Sequence, residues 1–146
     1  MNCKPLIGMN ADFRAAHNEV PSFSYLSAGY FDAITAAGGI PVVVPPMEDE
    51  TDLNCLLDHL QGFVLVGGQD LDPRRDGFML HPTVRPLEPR RETFDRMLIR
   101  LIGERRLPVF GIGVGMQLLN QSEGGNLFLH IAEDLPEAIP HKDLQD

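Results

Sequence analysis

Residues 109–120 read Val109-Phe110-Gly111-Ile112-Gly113-Val114-Gly115-Met116-Gln117-Leu118-Leu119-Asn120, "VFGIGVGMQLLN". A short apolar run meets three alternating glycines and resumes with helical spacing, which describes a buried strand, a sharp turn and a helix. Three kinds of turn fit this pattern. One is a nucleophile elbow, one a plain tight strand-to-helix turn, and one a glycine-rich loop that cradles phosphate. A nucleophile elbow carries Ser or Cys at its centre, and here the centre is Gly113.

Working outward, three more apolar runs end in Gly or Pro: Pro5–Met9, Pro41–Val44 and Gly62–Val66 join Pro108–Ile112 as predicted strands. Their continuous apolarity, without alternation, fits strands covered on both faces. Between them lie helical spacings. Tyr25–Ala37 places Leu26, Tyr30, Ala33, Ile34 and Ala37 on one face and stops at Gly38-Gly39. Asp52–Leu60 turns Leu53, Leu56, Leu57 and Leu60 inward, and Thr93–Arg105 turns Phe94, Met97, Leu98, Leu101 and Ile102 inward with its arginines outward. A fourth helix starts at Gly115 and runs to about Ser122. Alternating strand and helix predicts a parallel α/β sheet whose functional crevice lies at the carboxyl ends of the strands. Residues 124–131 read as a turn feeding one further extended segment, and the tail from Glu133 has no strong period.

The composition narrows the function classes. The 146 residues, 43% hydrophobic, suit one domain with a genuine core. A formal charge of -9 offers no basic stripe for nucleic acid. The arginines at 90, 91, 105 and 106 interleave with Glu92, Asp95 and Glu104 and read as a solvated helix face. No leader-like or membrane-spanning apolar run occurs, and Cys3 and Cys55 stand in no metal spacing, so the expectation is a cytoplasmic protein with reduced thiols, no metal and no cofactor.

A second glycine feature follows the third predicted strand, in Leu65-Val66-Gly67-Gly68-Gln69-Asp70-Leu71-Asp72-Pro73. Paired glycines let a backbone N–H approach a ligand, as an oxyanion hole requires, although a loop with left-handed glycines has the same composition.

Taken together these segments resemble the class I glutamine amidotransferase-like superfamily, and within it the gamma-glutamyl-gamma-aminobutyrate hydrolase family. The resemblance covers nearly the whole chain. It rests on Lys4-Pro5-Leu6-Ile7-Gly8, on Tyr30-Phe31-Asp32-Ala33-Ile34, on Ala37-Gly38-Gly39-Ile40-Pro41-Val42-Val43-Val44-Pro45, and on Gly67-Gly68 with Asp70 and Pro73. Arg91-Glu92-Thr93-Phe94-Asp95 stands where that family has R-D-x-x-E, Leu107 to Gln117 matches its L-P-v-l-G-I-C-R-G-x-Q elbow, and Leu119-Asn120 with Gly124-Gly125-Asn126-Leu127 matches the L-N-v-x-x-G-G-x-L beyond it.

The resemblance implies a flavodoxin-like three-layer α/β/α sandwich with a mostly parallel sheet. It also implies a thioester chemistry in which an elbow cysteine attacks a γ-glutamyl amide, backbone amides hold the oxyanion, and a downstream His-x-Glu supplies base and orienter. Carried over, the nucleophile position is Gly113, the oxyanion amides belong to Val114 and Gly68, and Gly67, Gly115 and Gln117 complete the substrate-binding candidates. Two departures follow. Gly113 has no side chain to form a covalent bond, and Val114 replaces an arginine. Downstream of the elbow no His-x-Glu occurs; His130 and His141 read as surface or loop residues.

Four expectations stand side by side. The chain is a pseudo-hydrolase that binds a γ-glutamyl or carboxylate small molecule. Alternatively it is an active amide hydrolase through an unrecognised nucleophile or a metal-bound water near Asp70, Asp72, Glu92 or Asp95. Alternatively it is an assembly subunit, as a homo-oligomer or with a partner. Or the single domain spanning 1–146 is incomplete, part of a longer product.

Overall fold

The computed structural model describes residues 3–140. Its hub is strand β1 (Leu6–Asn10), which pairs in parallel with β4 (Ile40–Val44) on one side and β5 (Gly62–Leu65) on the other. Strand β6 (Val109–Gly111) extends the sheet beyond β5, giving the spatial order β4-β1-β5-β6. Ranked by their place in the chain, these strands run second, first, third, fourth, the order of a flavodoxin-like doubly wound sheet. The chain direction reverses its march across the sheet between β1 and β5, and the loops leaving those two strands flank that switch point.

The four predicted strands all form, each with ends within one or two residues of the expected ones. The first helix is shorter than expected. Residues Phe23–Tyr25 form strand β3, which closes an antiparallel hairpin with β2 (Asp12–Arg14), and helix α1 begins only at Ala28 and ends at Ala36. Residues 124–130 form no strand; a single helical turn, α5 (Ile131–Asp134), follows them.

Helix α2 (Glu50–Leu57) starts at Asp49, whose carboxylate accepts from the N–H groups of Thr51 at 2.7 Å and Asp52 at 3.0 Å. Helix α3 (Pro89–Arg105) starts with proline at its first position, and Glu88 caps it by accepting from the amides of Arg90 and Arg91. Helix α4 (Val114–Ser122) follows β6 after a two-residue turn.

The two faces of the sheet are covered unequally. On one face Leu53, Leu57, Leu60, Phe94, Leu98, Leu101, Ile102 and Leu118 of α2, α3, α4 and the segment after α2 pack with Val44, Phe63 and Leu65 into one continuous core. On the other face, among the described residues, α1 alone covers the strands, and the buried set there is Met9, Ile34 and Val66. Of the five residues expected to face inward from α1 only Ile34 is buried; Ala33 and Ala37 line an open apolar groove of about 540 Å³ with Val64, Phe110 and Ile112. Phe110 is 65% exposed, far outside the range of a core phenylalanine.

Candidate functional site

The carboxyl ends of β1, β5 and β6 bring together Asn10, the turn Val66-Gly67-Gly68, and Gly113. At the end of β6, Ile112 N–H donates to Leu65 O at 2.9 Å, and Gly115 N–H closes a turn on Ile112 O at 2.9 Å. The three glycines serve different ends. A Cβ on Gly111 would lie 2.6 Å from Met116 N, and one on Gly115 would lie 2.4 Å from Leu65 O, so both are imposed by the close approach of helix and strand.

Gly113 differs. Its φ of 55° and ψ of -118° put it in a region that side-chain-bearing residues occupy only under strain. A Cβ there would nevertheless meet only Gly67 Cα, at an ordinary 3.6 Å. The backbone therefore takes the strained strand-to-helix turn of an elbow, with room for a side chain that would point at the Gly67-Gly68 turn. Val114 follows as the first residue of α4, where an N–H has no acceptor within the helix.

Gly67 and Gly68 do not adopt left-handed backbone, so the simple loop with left-handed glycines is not what forms. Their smallness serves close approach. Gly67 N–H donates to the Tyr30 hydroxyl at 3.0 Å, and a Cβ on Gly68 would lie 2.4 Å from Arg91 Nη1. Of the two turn amides, Gly67 is thus held by α1.

A buried polar cluster fixes the other side of this turn. Arg91 is fully buried, which corrects its assignment to a solvated helix face. Its Nη2 donates to Gly67 O at 2.9 Å and to Val66 O at 3.3 Å, while its Nε donates to Asp95 Oδ2 at 3.3 Å and Nη1 lies 3.1 Å from Asp12 Oδ1. Asn10 completes the frame: its Nδ2 donates to Asp95 Oδ1 at 2.8 Å, and its Oδ1 accepts from Val66 N–H at 2.8 Å. Burial pushes the Asp95 carboxyl up to about 6, against the lowering influence of Arg91 and the Asn10 hydrogen bond.

The acids considered as holders of a metal-bound water are engaged elsewhere. Glu92 is buried, accepts from Asp72 N–H at 3.0 Å and from Arg96 Nε at 2.9 Å. Asp72 caps the 3-10 turn Pro73–Asp76 and pairs with Arg74, whose hydrogen bond holds its carboxyl below the usual range. Asp70 Oδ2 accepts from Arg85 N–H at 2.7 Å.

Gln117 sits half-buried in the first turn of α4, its N–H donating to Gly113 O at 3.1 Å. Cys3 and Cys55 are free and exposed, and His141 lies outside the described residues. Three residues that shape the site escaped the sequence reading as site residues. Asn10 ends an apolar run and carries no motif signal; Tyr30 reads as a core-facing aromatic; Arg91 sits in an arginine-rich segment, and only its place in the family-like motif distinguished it from its neighbours.

Comparison with known proteins supplies independent findings. The sequence profile of the Peptidase C26 family matches residues 5–145. A Mycobacterium tuberculosis protein named "Putative glutamine amidotransferase Rv2859c" is 37% identical over 142 residues, covering 94% of this chain and 44% of that protein. A Rickettsia prowazekii protein named "Putative glutamine amidotransferase-like protein RP404" is 32% identical over 147 residues, covering 97% of this chain and 50% of its own length. The gamma-glutamyl-gamma-aminobutyrate hydrolase of Escherichia coli O157:H7 is 32% identical over 120 residues, covering 81% of this chain and 46% of the enzyme. The chain spans about half the length of these relatives.

Proposed function

This chain belongs to the peptidase C26 family of class I glutamine amidotransferase-like proteins, and from that premise we propose that it is a non-covalent binder of γ-glutamyl or related carboxylate compounds. In this reading it keeps the family's oxyanion frame and has lost the reacting atom. The observation that carries the proposal is Gly113: an elbow backbone, φ 55°, aimed at Gly67 and bearing no side chain. Thioester formation needs a thiolate at that position, and glycine supplies none. The donors that persist are backbone N–H groups. Val114 at the start of α4 and Gly68, which the buried Arg91 packs against, are assigned to a ligand oxygen, with Gly115 shaping the turn and Gln117 near its rim.

The test pairs binding with turnover. Calorimetric titration of the chain with γ-glutamyl-aminobutyrate or glutamate is expected to show saturable binding, weakened by Gly68→Ala, and assays of ammonia and glutamate release are expected to stay at background. Release that scales with protein concentration and survives thiol blockers would refute the loss of chemistry and return the assignment to an active amide hydrolase.

A second reading, assembly, is favoured by the groove beneath Phe110 and by the outer edge of β6, which no strand pairs among the described residues. Parallel sheets are ordinarily covered on both faces. In a solution of this chain alone the available occupant is a second copy, and light scattering is expected to give a mass above that of one chain. A monodisperse monomer at high concentration removes this reading.

A further inference from the structure

Away from the elbow, the fold brings together three side chains that the sequence keeps far apart. His81 lies in the segment between the 3-10 turn and α3, His130 caps α5, and Glu133 lies within α5. Their donor atoms all fall within 4.8 Å of one another. Glu133 reaches both rings, with Oε2 3.2 Å from His81 Nε2 and Oε1 3.1 Å from His130 Nδ1. The imidazoles themselves stack, centroids 4.9 Å apart and planes inclined by 20°. Nitrogen and oxygen ligands about 2.0–2.1 Å from a tetrahedral zinc ion are spaced about 3.3 Å from each other, close to the separation each imidazole nitrogen already keeps from a Glu133 oxygen.

Two further observations point to a cation. Among the described residues His130 Nδ1 is sealed from solvent yet finds no hydrogen-bond partner; its approach to Glu133 is close in distance but not aligned for one. A buried imidazole nitrogen left in this way is a costly feature unless something binds its lone pair. On the other ring, His81 Nδ1 accepts from the Thr83 backbone N–H at 3.3 Å and lies 2.7 Å from Thr83 Oγ1. Thr83 thereby fixes the ring plane and aims Nε2 at Glu133, the outer-shell hold that orients metal-ligating histidines, and zinc binding at Nε2 displaces the proton shared with Glu133. The formal charge of -9 adds a field that gathers cations.

We propose that His81, His130 and Glu133 form a site for a zinc ion, with Thr83 as the positioning residue for His81. Two imidazoles and one carboxylate suit this metal and leave a fourth position to water. Bound there, the ion ties residues 77–87, which lead from the loop beyond the Gly67-Gly68 turn into α3, to the segment that follows α4. Zinc is not expected from the sequence, because forty-eight residues separate the two histidines and no short ligand spacing exists.

The test is competition of the chain against a chromophoric zinc chelator, with cobalt as a spectroscopic probe. One zinc per chain is expected, with binding weakened at least 10-fold by His81→Ala, His130→Ala or Glu133→Gln, and 10- to 100-fold by Thr83→Val. Zinc is also expected to raise the melting temperature of the parent and not of His130→Ala, which separates a lost site from a lost fold. The exposed Cys55 and His59 are a competing pair, so Cys55→Ser/His59→Ala is expected to leave the affinity unchanged, and the cobalt spectrum to lack thiolate charge-transfer bands. Absence of stoichiometric zinc, or binding that disappears with Cys55 and His59 and persists in His130→Ala, overturns the proposal.

Discussion

At the scale of single residues, Gly113 and Gly115 make a controlled comparison within one turn. Alanine at 113 meets no close neighbour but must hold φ near 55°, a strain of about 1–3 kcal/mol. Alanine at 115 would drive a Cβ to 2.4 Å from Leu65 O, so the strand and helix must separate. Urea denaturation is expected to rank Gly115→Ala as the more destabilising of the two; the reverse order would show that backbone strain, and not close packing, governs the elbow. Asp95 offers a second residue-scale prediction. Its folded-state value of about 6 exceeds that of an unfolded aspartate, so the stability it contributes is full below about pH 4 and is lost as pH rises through about 6. The loss is at most about 3 kcal/mol. Asp95→Asn cannot titrate; the stability of the parent relative to this variant is expected to fall between pH 4 and pH 7, and a constant difference would contradict the assigned shift.

At the scale of elements, α3 does more than cover the sheet. Its first two turns project Arg91, Glu92 and Asp95 inward, where Asp95 accepts from Asn10 at the end of β1, Arg91 reaches Asp12 beyond it and the Gly67 carbonyl, and Glu92 accepts from Asp72 N–H beyond β5. Replacing Arg91 by methionine takes the charge partner from the Asp95 carboxylate and the Nη2 donor from the Val66 and Gly67 carbonyls, so a loss of about 3–5 kcal/mol is expected in the unfolding free energy from urea denaturation. By contrast Asp49→Ala removes only the α2 cap and is expected to cost about 1 kcal/mol. The contrast explains which parts of the fold were legible in the sequence. Strands declared themselves through Ile7, Val42, Phe63 and Val109, because a buried parallel strand has a local apolar signature. The elbow showed itself through its glycines for the same local reason. The hairpin of β2 and β3 did not: Phe13, Phe23 and Tyr25 carry strand character, but the helical spacing that begins at Tyr25 masked it, and pairing partners nine to thirteen residues apart leave no periodic trace. Arg91 and the His81-His130-Glu133 cluster were hidden because long-range juxtaposition, not residue type, decides their surroundings.

At the scale of the whole molecule, uneven coverage of the sheet is the dominant fact. Among the described residues no helix is long and apolar enough to cross a membrane. The exposed Phe110 and Ile112 line the open groove beside α1. Phe110→Asp is expected to leave the unfolding free energy from urea denaturation within about 0.5 kcal/mol, since the side chain has little burial to lose. If a second copy fills the groove, the same substitution converts the associated species to monomer in light scattering; an unchanged mass would place the contact elsewhere. The thin layer also has a consequence in time. Helix α1 is anchored by few buried side chains, and elements of that kind open locally well before the whole fold does. Tyr30 rides on α1 and holds the Gly67 amide, whereas Arg91 holds the carbonyls of the same turn from the deep core. In amide hydrogen exchange the Gly67 proton should therefore keep pace with α1 and trade with solvent far sooner than the protons of β5 behind it, so that one peptide turn carries two clocks, one set by each face of the sheet.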